Sequence, residues 1–492
     1  MKKYQPYYFY GLLLLGMIVR LRAYFYNRSL WFDEALLTNN IIDLSFVELT
    51  GVLPNNQAAP VGFLFLQKIV VVALGTSEYV LRLWPLLAAL LSLFLFYRLS
   101  QKLLSANFAL VALAFFVFCQ PHIYYSTEVK QYSTDVLAAI LVLRSTVQLF
   151  EDKSSRYLWR HICLGVLLIW FSQPVVFVLA ASFLALSLQV YQEKNSAVAK
   201  WLLLIGSCWA VSFLVYFFGF LKPSIANNDL QDFHTTYFMP LNIFAKTSWE
   251  WYANAWFSLF RNPAGIFFKY LAGSVGLIGL FVAFRQRKIW LVLLLFPLGL
   301  AFAASALHQY STIPRLLLFA MPGLVLFLVK SLTWFHQICS RKIRFGKYFG
   351  ALLVAAILLQ GVLDTIHKLA TPGEVEEIKP LLAYVAKHKK AEDLFYLYPY
   401  TAPQFTYYKE RYGLENLRIF EGTSPFENWQ ADLTRLPTAT QRVWLLLAHY
   451  RKTPQGDDST LYARQFDQYG KQIVKLEEKG TVCYLYEFKL KR

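Results

Sequence analysis

Charged side chains are scarce in this chain. Asp, Glu, Lys and Arg make up 16% of the 492 residues, whereas soluble globular proteins average about 25%. Hydrophobic residues make up 57%, and the mean hydropathy is +0.40. These values exclude a soluble enzyme, a disordered chain and a collagen-like protein, and they predict a protein of the lipid bilayer.

Cysteine and nucleotide-binding motifs are also sparse. The five cysteines contain no CxxC motif, so the sequence predicts neither a disulfide framework nor a zinc site. No GxGxxG or Walker-type loop stands near a strand-to-helix junction. We therefore expect no nucleotide cofactor.

Negative charge is rare in the first three quarters of the chain. Residues 1–370 carry 30 Lys and Arg but only 14 Asp and Glu, whereas residues 371–492 are nearly balanced. Most of the excess cations fall in short loops between apolar runs, where they set the orientation of a membrane protein. The net charge of +18 therefore does not indicate a nucleic-acid partner.

Apolar stretches close to the roughly 20 residues that cross a bilayer recur as far as residue 366. About eleven spans are predicted, near residues 7–25, 79–98, 106–125, 132–150, 158–172, 174–191, 200–221, 264–284, 288–306, 316–335 and 348–366. Ser172, Gln173 and Pro174 interrupt the region 158–191, which could be two spans or one kinked helix.

The positive-inside rule favours two spans there. With Lys2 and Lys3 in the cytoplasm, the even-numbered gaps should carry the basic clusters. They do: Arg98 and Lys102; Lys153, Arg156 and Arg160; Lys194 and Lys200; Arg285, Arg287 and Lys288; Arg341, Lys342, Arg344 and Lys347. This count places the N-terminus in the cytoplasm and the C-terminal region outside.

The predicted fold is a polytopic α-helical membrane protein with a C-terminal extracytoplasmic α/β domain. Residues 1–370 form the transmembrane module, with a first outer loop at 27–78 and another at 222–262. The sequence pattern of residues 371–492 is typical of a soluble domain, because buried strand patterns such as DLFYLYP and VWLLLAHY alternate with helical segments.

Ten of the fourteen acids in residues 1–370 map to the outer face under this topology, so we expect any chemistry there. Asp33 and Glu34 lie side by side just after the first span. Partial burial and mutual repulsion raise carboxyl pKa values, so one acid could act as a base while the other holds a cation or orients a hydroxyl. A pair at the start of a solvated helix is the other reading.

Two further polar clusters lie at predicted outer ends of spans. The first is HIYYSTEVKQYSTD, residues 122–135, in which Lys130 is the only cation and suits a phosphate. An aromatic belt explains its tyrosines but not its Glu-x-Lys. The second contains His308, Tyr310 and Arg315, and Arg315 could either snorkel to lipid phosphates or clamp the phosphate of a lipid substrate. Arg82 has the same two readings.

Several segments occur in the order of a known family: LWFDEA, QAAPVGFLFLQKI, SEYVLRLWPLLAALLSLFLFYRL, YYSTEVKQYSTDVLAAIL and IPRLLLFAMPGLVLFL. Over roughly residues 1–335 the chain resembles the bacterial polytopic glycosyltransferases of the GT-C superfamily. The resemblance is to the branch, glycosyltransferase family 39-like, that holds protein O-mannosyltransferases and lipid A aminoarabinose transferases. It implies an inner-membrane transferase that takes a sugar from a polyprenyl-phosphate donor and passes it to a lipid, glycan or protein acceptor.

The resemblance also implies roles for individual residues. Asp33 is expected to deprotonate the acceptor hydroxyl with Glu34 beside it, and Glu128 to hold the acceptor or a divalent cation such as Mg²⁺ or Mn²⁺, for which Asp33 and Glu128 are the candidate ligands. The donor phosphate would be bound by Lys130, Arg315 and Arg82. The remaining polar residues of these clusters are expected to contact substrate, namely His122, Tyr132, Asp135, His308 and Tyr310.

Three other functions stay open at this stage. A flippase or transporter of a lipid-linked sugar would need polar residues at mid-span, whereas the charges here gather at the outer ends. A polysaccharide polymerase or ligase would use a large outer loop. The aromatic loop 222–262 is compatible with that function. An anchored binding module would need one span rather than about eleven.

Overall fold

The computed structural model describes residues 4–194, 196–225, 233–286, 288–342, 346–373, 375–423, 432, 442–453 and 456–488. The chain divides into two compact units. The membrane unit comprises Met1–Tyr26 and Leu44–Pro372, and the C-terminal unit comprises Asn27–Asp43 and Gly373–Arg492.

Helices dominate the membrane unit, because long runs of Leu, Phe, Ala and Val satisfy their backbone groups internally only as helices. In chain order the helices are α1 (Gln5–Tyr26), α2 (Phe32–Asp43, in the C-terminal unit), α3 (Val61–Leu74), α4 (Glu78–Leu103), α5 (Ala106–Val117), α6 (Gln120–Tyr125), α7 (Tyr132–Glu151), α8 (Ser155–Phe171), α9 (Val175–Glu193), α10 (Ser196–Tyr216), α11 (Lys222–Ile225), α12 (Lys246–Arg261), α13 (Lys269–Gln286), α14 (Lys288–Ala306), α15 (Met321–Lys342) and α16 (Gly346–Ala370). Within the described ranges, eight helices are long and apolar enough to cross a membrane. The polytopic helical class is confirmed, and the count of about eleven stays a prediction.

Two predicted spans show how proline divides apolar runs. The run 106–125 is not one helix: α5 ends at Val117, and α6 begins at Gln120 with Pro121 in its first turn. Proline favours a helix start because its ring fixes φ and it has no N–H to leave unpaired. In the region 158–191 α8 and α9 are separate helices, as the distribution of basic residues predicted.

Helix α7 is central to the membrane unit and packs against α4, α8 and α9. A small polar network lies among its apolar contacts. The hydroxyls of Thr146 and Ser182 are 2.6 Å apart, and the His161 ring bonds Ser182 on one side and Ser145 on the other, at 3.2 and 2.9 Å. Such bonds tie α7, α8 and α9 together where apolar packing alone gives little register.

The C-terminal unit is an α/β structure, as predicted. Its five-stranded sheet has the order β2-β1-β3-β7-β6, in which β1 is parallel to both β2 and β3 and the last two pairings are antiparallel. The strands are β1 (Leu394–Leu397), β2 (Arg418–Glu421), β3 (Arg442–Ala448), β6 (Gly470–Glu478) and β7 (Thr481–Phe488), and a short hairpin pairs β4 (Lys452–Thr453) with β5 (Gly456–Asp457). The helices of this unit are α2, α17 (Lys379–His388), α18 (Ala402–Tyr408) and α19 (Asp458–Phe466).

The division of the chain differs from the predicted boundary in one respect. The prediction placed the first outer loop, 27–78, with the transmembrane module, whereas Asn27–Asp43 groups with residues 373–492. The reason is packing, because α2 lies against α18. Sequence position between two spans therefore does not determine where this segment packs.

Candidate functional site

The link between α6 and α7 contains two buried charged residues of the predicted site. Every residue from Ser126 to Gln131 is buried, including Glu128 with no exposed surface and Lys130 with 5%. The backbone N–H of Lys130 donates to the carbonyl of Glu128 at 2.7 Å across Val129, which closes a tight three-residue turn. The turn holds an acid and a base two residues apart in a setting that excludes most water.

Lys130 is fixed by a residue from another loop. Its ammonium donates to the side-chain carbonyl of Gln57 at 2.7 Å. Gln57 stands in the Gln-Ala-Ala-Pro sequence that leads into α3, and Pro60 is the N-cap residue of that helix. An ammonium carries three N–H donors, and it suits a phosphate oxygen as well as an amide carbonyl.

The first turn of α7 carries the next acid. Asp135 is 3% exposed, and the hydroxyl of Ser172, in the break between α8 and α9, lies beside its carboxyl group. Burial and the nearby Asp135 carboxyl raise the pKa of Tyr310 well above its usual value, so the phenol keeps its proton. That phenol donates to the carbonyl of Leu316 at 2.6 Å. The predicted contacts Asp135 and Tyr310 therefore share one neighbourhood.

The loop that follows Tyr310 places Arg315 near His234. Arg315 is half-buried and lies close enough to His234 to affect its titration. Burial first, and then the Arg315 guanidinium, lower the pKa of His234. By contrast, His308 is exposed, adopts φ +57° and stacks on Phe238 at a ring distance of 4.5 Å.

Three other residues predicted to contact substrate or donor are buried within the membrane unit. His122 has no exposed surface, and the guanidinium of Arg20 donates to its Nδ1 at 2.9 Å, which connects α1 to α6. This contact accounts for His122 as a packing residue, and a substrate role for it stays a prediction. Tyr132 is buried against the ring of Tyr125, and Arg82 is 1% exposed within α4.

The predicted base, Asp33, lies in the C-terminal unit, in the first turn of α2. The backbone N–H of Phe32 donates to Glu376 Oε2 at 2.9 Å, and the Phe32 ring stacks on His449 with centroids 4.8 Å apart. His449 Nδ1 is 2.6 Å from the other oxygen of Glu376. These contacts fix the start of the helix that carries the acid.

The residues just before α2 are held in the same way. Glu377 accepts from the N–H and the hydroxyl of Ser29 at 2.8 and 2.9 Å, and the N–H of Leu30 donates to the hydroxyl of Tyr408 at 2.9 Å. Within α2, Glu34 has no exposed surface whereas Asp33 is partly exposed. Of the two adjacent acids, Asp33 is therefore the one that solvent or a substrate can reach.

A divalent cation was predicted with Asp33 and Glu128 as candidate ligands. Among the residues that the structure describes, no group of three or more His, Cys, Asp or Glu side chains is arranged to hold a metal ion. Asp33 belongs to the C-terminal unit and Glu128 to the membrane unit. A role for a divalent cation therefore stays a prediction.

Several positioning residues were missed from the sequence. Gln57 fixes Lys130, Ser172 lies beside Asp135, and His234 lies near Arg315. Glu376 and His449 hold the start of α2. The polar residue directly before Ala58-Ala59-Pro60 was a usable signal for Gln57, whereas nothing local pointed from Phe32 to residues more than 340 positions away.

No family model and no curated protein matches this chain. Solved structures do match its fold. ArnT from Cupriavidus metallidurans in the apo state is 12% identical with a TM-score of 0.51, and the match covers 96% of this chain and 98% of that one. The archaeal oligosaccharyltransferase AglB from Archaeoglobus fulgidus, in complex with an inhibitory peptide and a dolichol-phosphate, is 11% identical with a TM-score of 0.51, covering 98% of this chain and 74% of AglB.

At this identity the likeness shows the fold. Both matched proteins are GT-C superfamily members, so the fold expected from the sequence motifs is confirmed over nearly the whole chain rather than over residues 1–335 alone. The chain is a multi-pass membrane protein with the GT-C architecture.

Proposed function

We propose that this protein is a membrane glycosyltransferase. It moves a sugar from a polyprenyl-phosphate-linked donor to an acceptor hydroxyl at the outer face of the cytoplasmic membrane. The N-terminus is cytoplasmic and the C-terminal unit extracytoplasmic. The acceptor is a lipid, a glycan or a protein.

The observation that carries this proposal is the end-to-end likeness of fold to ArnT, which covers 96% of this chain and 98% of that one. ArnT is a lipid A aminoarabinose transferase, and the matched AglB structure contains a dolichol-phosphate. A shared fold alone does not define a reaction. The residues of this chain supply the remaining support: a partly exposed aspartate on a firmly held helix, a buried lysine and a half-buried arginine.

These residues fit the demands of the reaction. Asp33 accepts the proton of the acceptor hydroxyl as its oxygen attacks the anomeric carbon. The bond between that carbon and the phosphate oxygen breaks, and the polyprenyl phosphate leaves with the additional negative charge. Lys130 and Arg315 stabilise that charge, because cations in a low-dielectric site act on it strongly. Attack in line with the leaving group inverts the anomeric configuration.

Glu128 has a different role in this scheme. It is fully buried and stands two residues from Lys130, so it balances the charge of the lysine. Replacement of Glu128 by Gln should then raise the concentration of donor needed for half-maximal rate. If the variant instead changed only the dependence on acceptor, Glu128 would belong to the acceptor site.

The test compares envelope glycolipids, glycans and glycoproteins by mass spectrometry in cells with and without the gene. One acceptor class should lose the mass of a single sugar when the gene is deleted. Wild-type protein should restore it, and Asp33→Asn should not. Asp43→Asn is the matched control, because Asp43 is the exposed last residue of the same helix.

A reconstituted assay separates transfer from flipping. Purified protein in proteoliposomes, supplied with lipid-linked sugar and the acceptor identified above, should form the product and release polyprenyl phosphate. Movement of the lipid-linked sugar between leaflets without any transfer would assign the protein as a flippase. Elongation of a glycan by many units would assign it as a polymerase.

A further inference from the structure

A basic pocket lies at the end of the membrane unit remote from Arg82 and Asp135. It is a cavity of about 280 Å³ lined by Arg98, Gln101, Lys102, Arg144 and Gln148, which we call the basic pocket. Its residues come from the C-terminal halves of α4 and α7, whereas Arg82 and Asp135 stand near the N-terminal ends of these helices. At 1.5 Å per residue, Arg98 is about 24 Å along α4 from Arg82. The pocket is therefore separate from the candidate site.

Positive charge in the basic pocket is only partly compensated. Lys102 forms an ion pair with Glu151. In the part of the chain that the structure describes, no acid pairs with Arg98, Arg144 or Arg160, and Arg144 lies within electrostatic range of both other arginines. Three guanidinium groups that repel one another define a place where an anion is favoured.

Arg144 differs from loop charges that only set topology, because it is half-buried and stands inside α7, whereas Arg98 and Arg160 are exposed. Arg98 and Arg144 stand more than one helical turn before the ends of α4 and α7, and Arg160 stands more than one turn after the start of α8. The three helices are neighbours, since α7 packs on both α4 and α8. The helix dipole acts within the last turn, so it does not compensate arginines placed this far inside.

The shape and donors of the pocket define the chemistry of a ligand. An arginine fork binds phosphate oxygens in pairs, and the amides of Gln101 and Gln148 can donate to ester or hydroxyl oxygens. Pockets for drug-sized molecules start near 300 Å³, so a volume of about 280 Å³ suits one headgroup rather than a complete glycolipid. Because the pocket lies near the C-terminal ends of two membrane helices, the phosphate available there is that of a lipid in the adjacent leaflet.

We propose that the basic pocket, formed by Arg98, Lys102, Arg144 and the two glutamines with Arg160 beside them, binds the phosphate of an anionic phospholipid. Under the charge rule this leaflet is the cytoplasmic one, opposite to the face proposed for sugar transfer. The site does not depend on the proposed transferase activity.

The test is lipid retention in native mass spectrometry of the full-length protein in detergent. The probes are phosphatidylglycerol and cardiolipin, with phosphatidylcholine as the neutral comparison and inorganic phosphate as the soluble anion. Wild-type protein should retain the two anionic lipids and not phosphatidylcholine. The double variant Arg98→Gln with Arg144→Gln should bind them about tenfold to a hundredfold more weakly, because it loses charged hydrogen bonds.

Arg156→Gln is the matched control, since Arg156 is an exposed arginine of α8 outside the pocket, and it should retain the lipids like wild type. If the double variant does not fold, Arg144→Lys supplies the test, because it keeps the charge but loses the fork and should weaken retention. Equal retention by wild type and the pocket variants would overturn the proposal. Binding of inorganic phosphate with no retention of lipid would also overturn it and assign the pocket to a soluble anion.

Discussion

The two segments that carry the predicted catalytic acids are held in contrasting ways. Residues 126–135 belong to the membrane unit, and turns or hydrogen bonds from neighbouring helices and loops position them. Residues 27–43 lie early in the chain but are held by side chains from residues 376–449. Acids with related predicted roles therefore depend on very different parts of one chain.

This difference separates the effects of substitution. Changes in the C-terminal unit should alter the order of α2 without altering the turn at Glu128. Changes at Gln57 or Lys130 should do the reverse. Each of the following outcomes tests that separation, beginning with the largest effect.

Replacement of Asp33 by Asn should have the greatest consequence. It removes the proposed base while keeping size and shape, and general base catalysis contributes about 10²- to 10⁴-fold. Turnover by purified protein should fall by that factor, with little change in the donor concentration for half-maximal rate. Asp43→Asn on the same helix should stay close to wild type. Full activity of the Asp33 variant would remove Asp33 from the base role.

Replacement of Lys130 by Met should come next. The variant loses the hydrogen bond to Gln57 and the positive charge proposed to bind the donor phosphate. One charged hydrogen bond contributes about 1.5–3 kcal/mol. The donor concentration for half-maximal rate should rise about 10- to 100-fold. Lys246→Met is the control, because Lys246 is an exposed lysine of α12. An unchanged donor dependence would count against a phosphate contact.

Replacement of Glu376 by Gln should loosen only residues 27–43. Glu376 accepts bonds from Phe32 and Gln404 and contacts His449, so the neutral amide weakens several bonds at once. Hydrogen exchange at residues 29–36 should become about tenfold faster, while residues 126–135 keep wild-type rates. Glu478→Gln, at an exposed position of β6, is the control. Equal acceleration in both segments would contradict the separation.

A rise in pH above 10 should destabilise the C-terminal unit alone. Burial is the main cause that raises the pKa of Tyr462 to about 12. Because the phenol of the unfolded chain titrates near 10, its contribution to stability is complete below about pH 10 and is lost as the pH rises toward 12. The loss is on the order of 2 kcal/mol. Exchange measured in β3 and β7 should reveal it, and Tyr462→Phe should reduce it; identical pH profiles would contradict this assignment.

Much of the fold followed from the sequence because membrane spans obey strong rules. The length of the apolar runs identified α1, α4, α7 and α9, and the positions of the basic clusters separated α8 from α9. Strand patterns identified β1 and β3, since buried strands form continuous apolar runs. Strand β6 was missed because its exposed residues are polar and its burial pattern is weak.

The buried polar residues of the candidate site were recognisable as residue types, but their contacts were not. Glu128 and Lys130 were recognisable because charges in an apolar setting are costly and retained for a reason. Their partner Gln57 and the clasp of Glu376 and His449 on Phe32 were not, because these contacts join distant parts of the chain. Such pairings depend on tertiary packing, which leaves no periodic pattern in the sequence.

The membership of Asn27–Asp43 in the C-terminal unit affects biosynthesis. The ribosome makes α2 early, but Glu377, which clasps Ser29, follows 348 residues later. At 5–20 residues per second, the nascent helix waits roughly 20–70 s for these partners. Truncated products that contain every apolar span would therefore lack the anchorage of Asp33, and only a completed polypeptide could become competent.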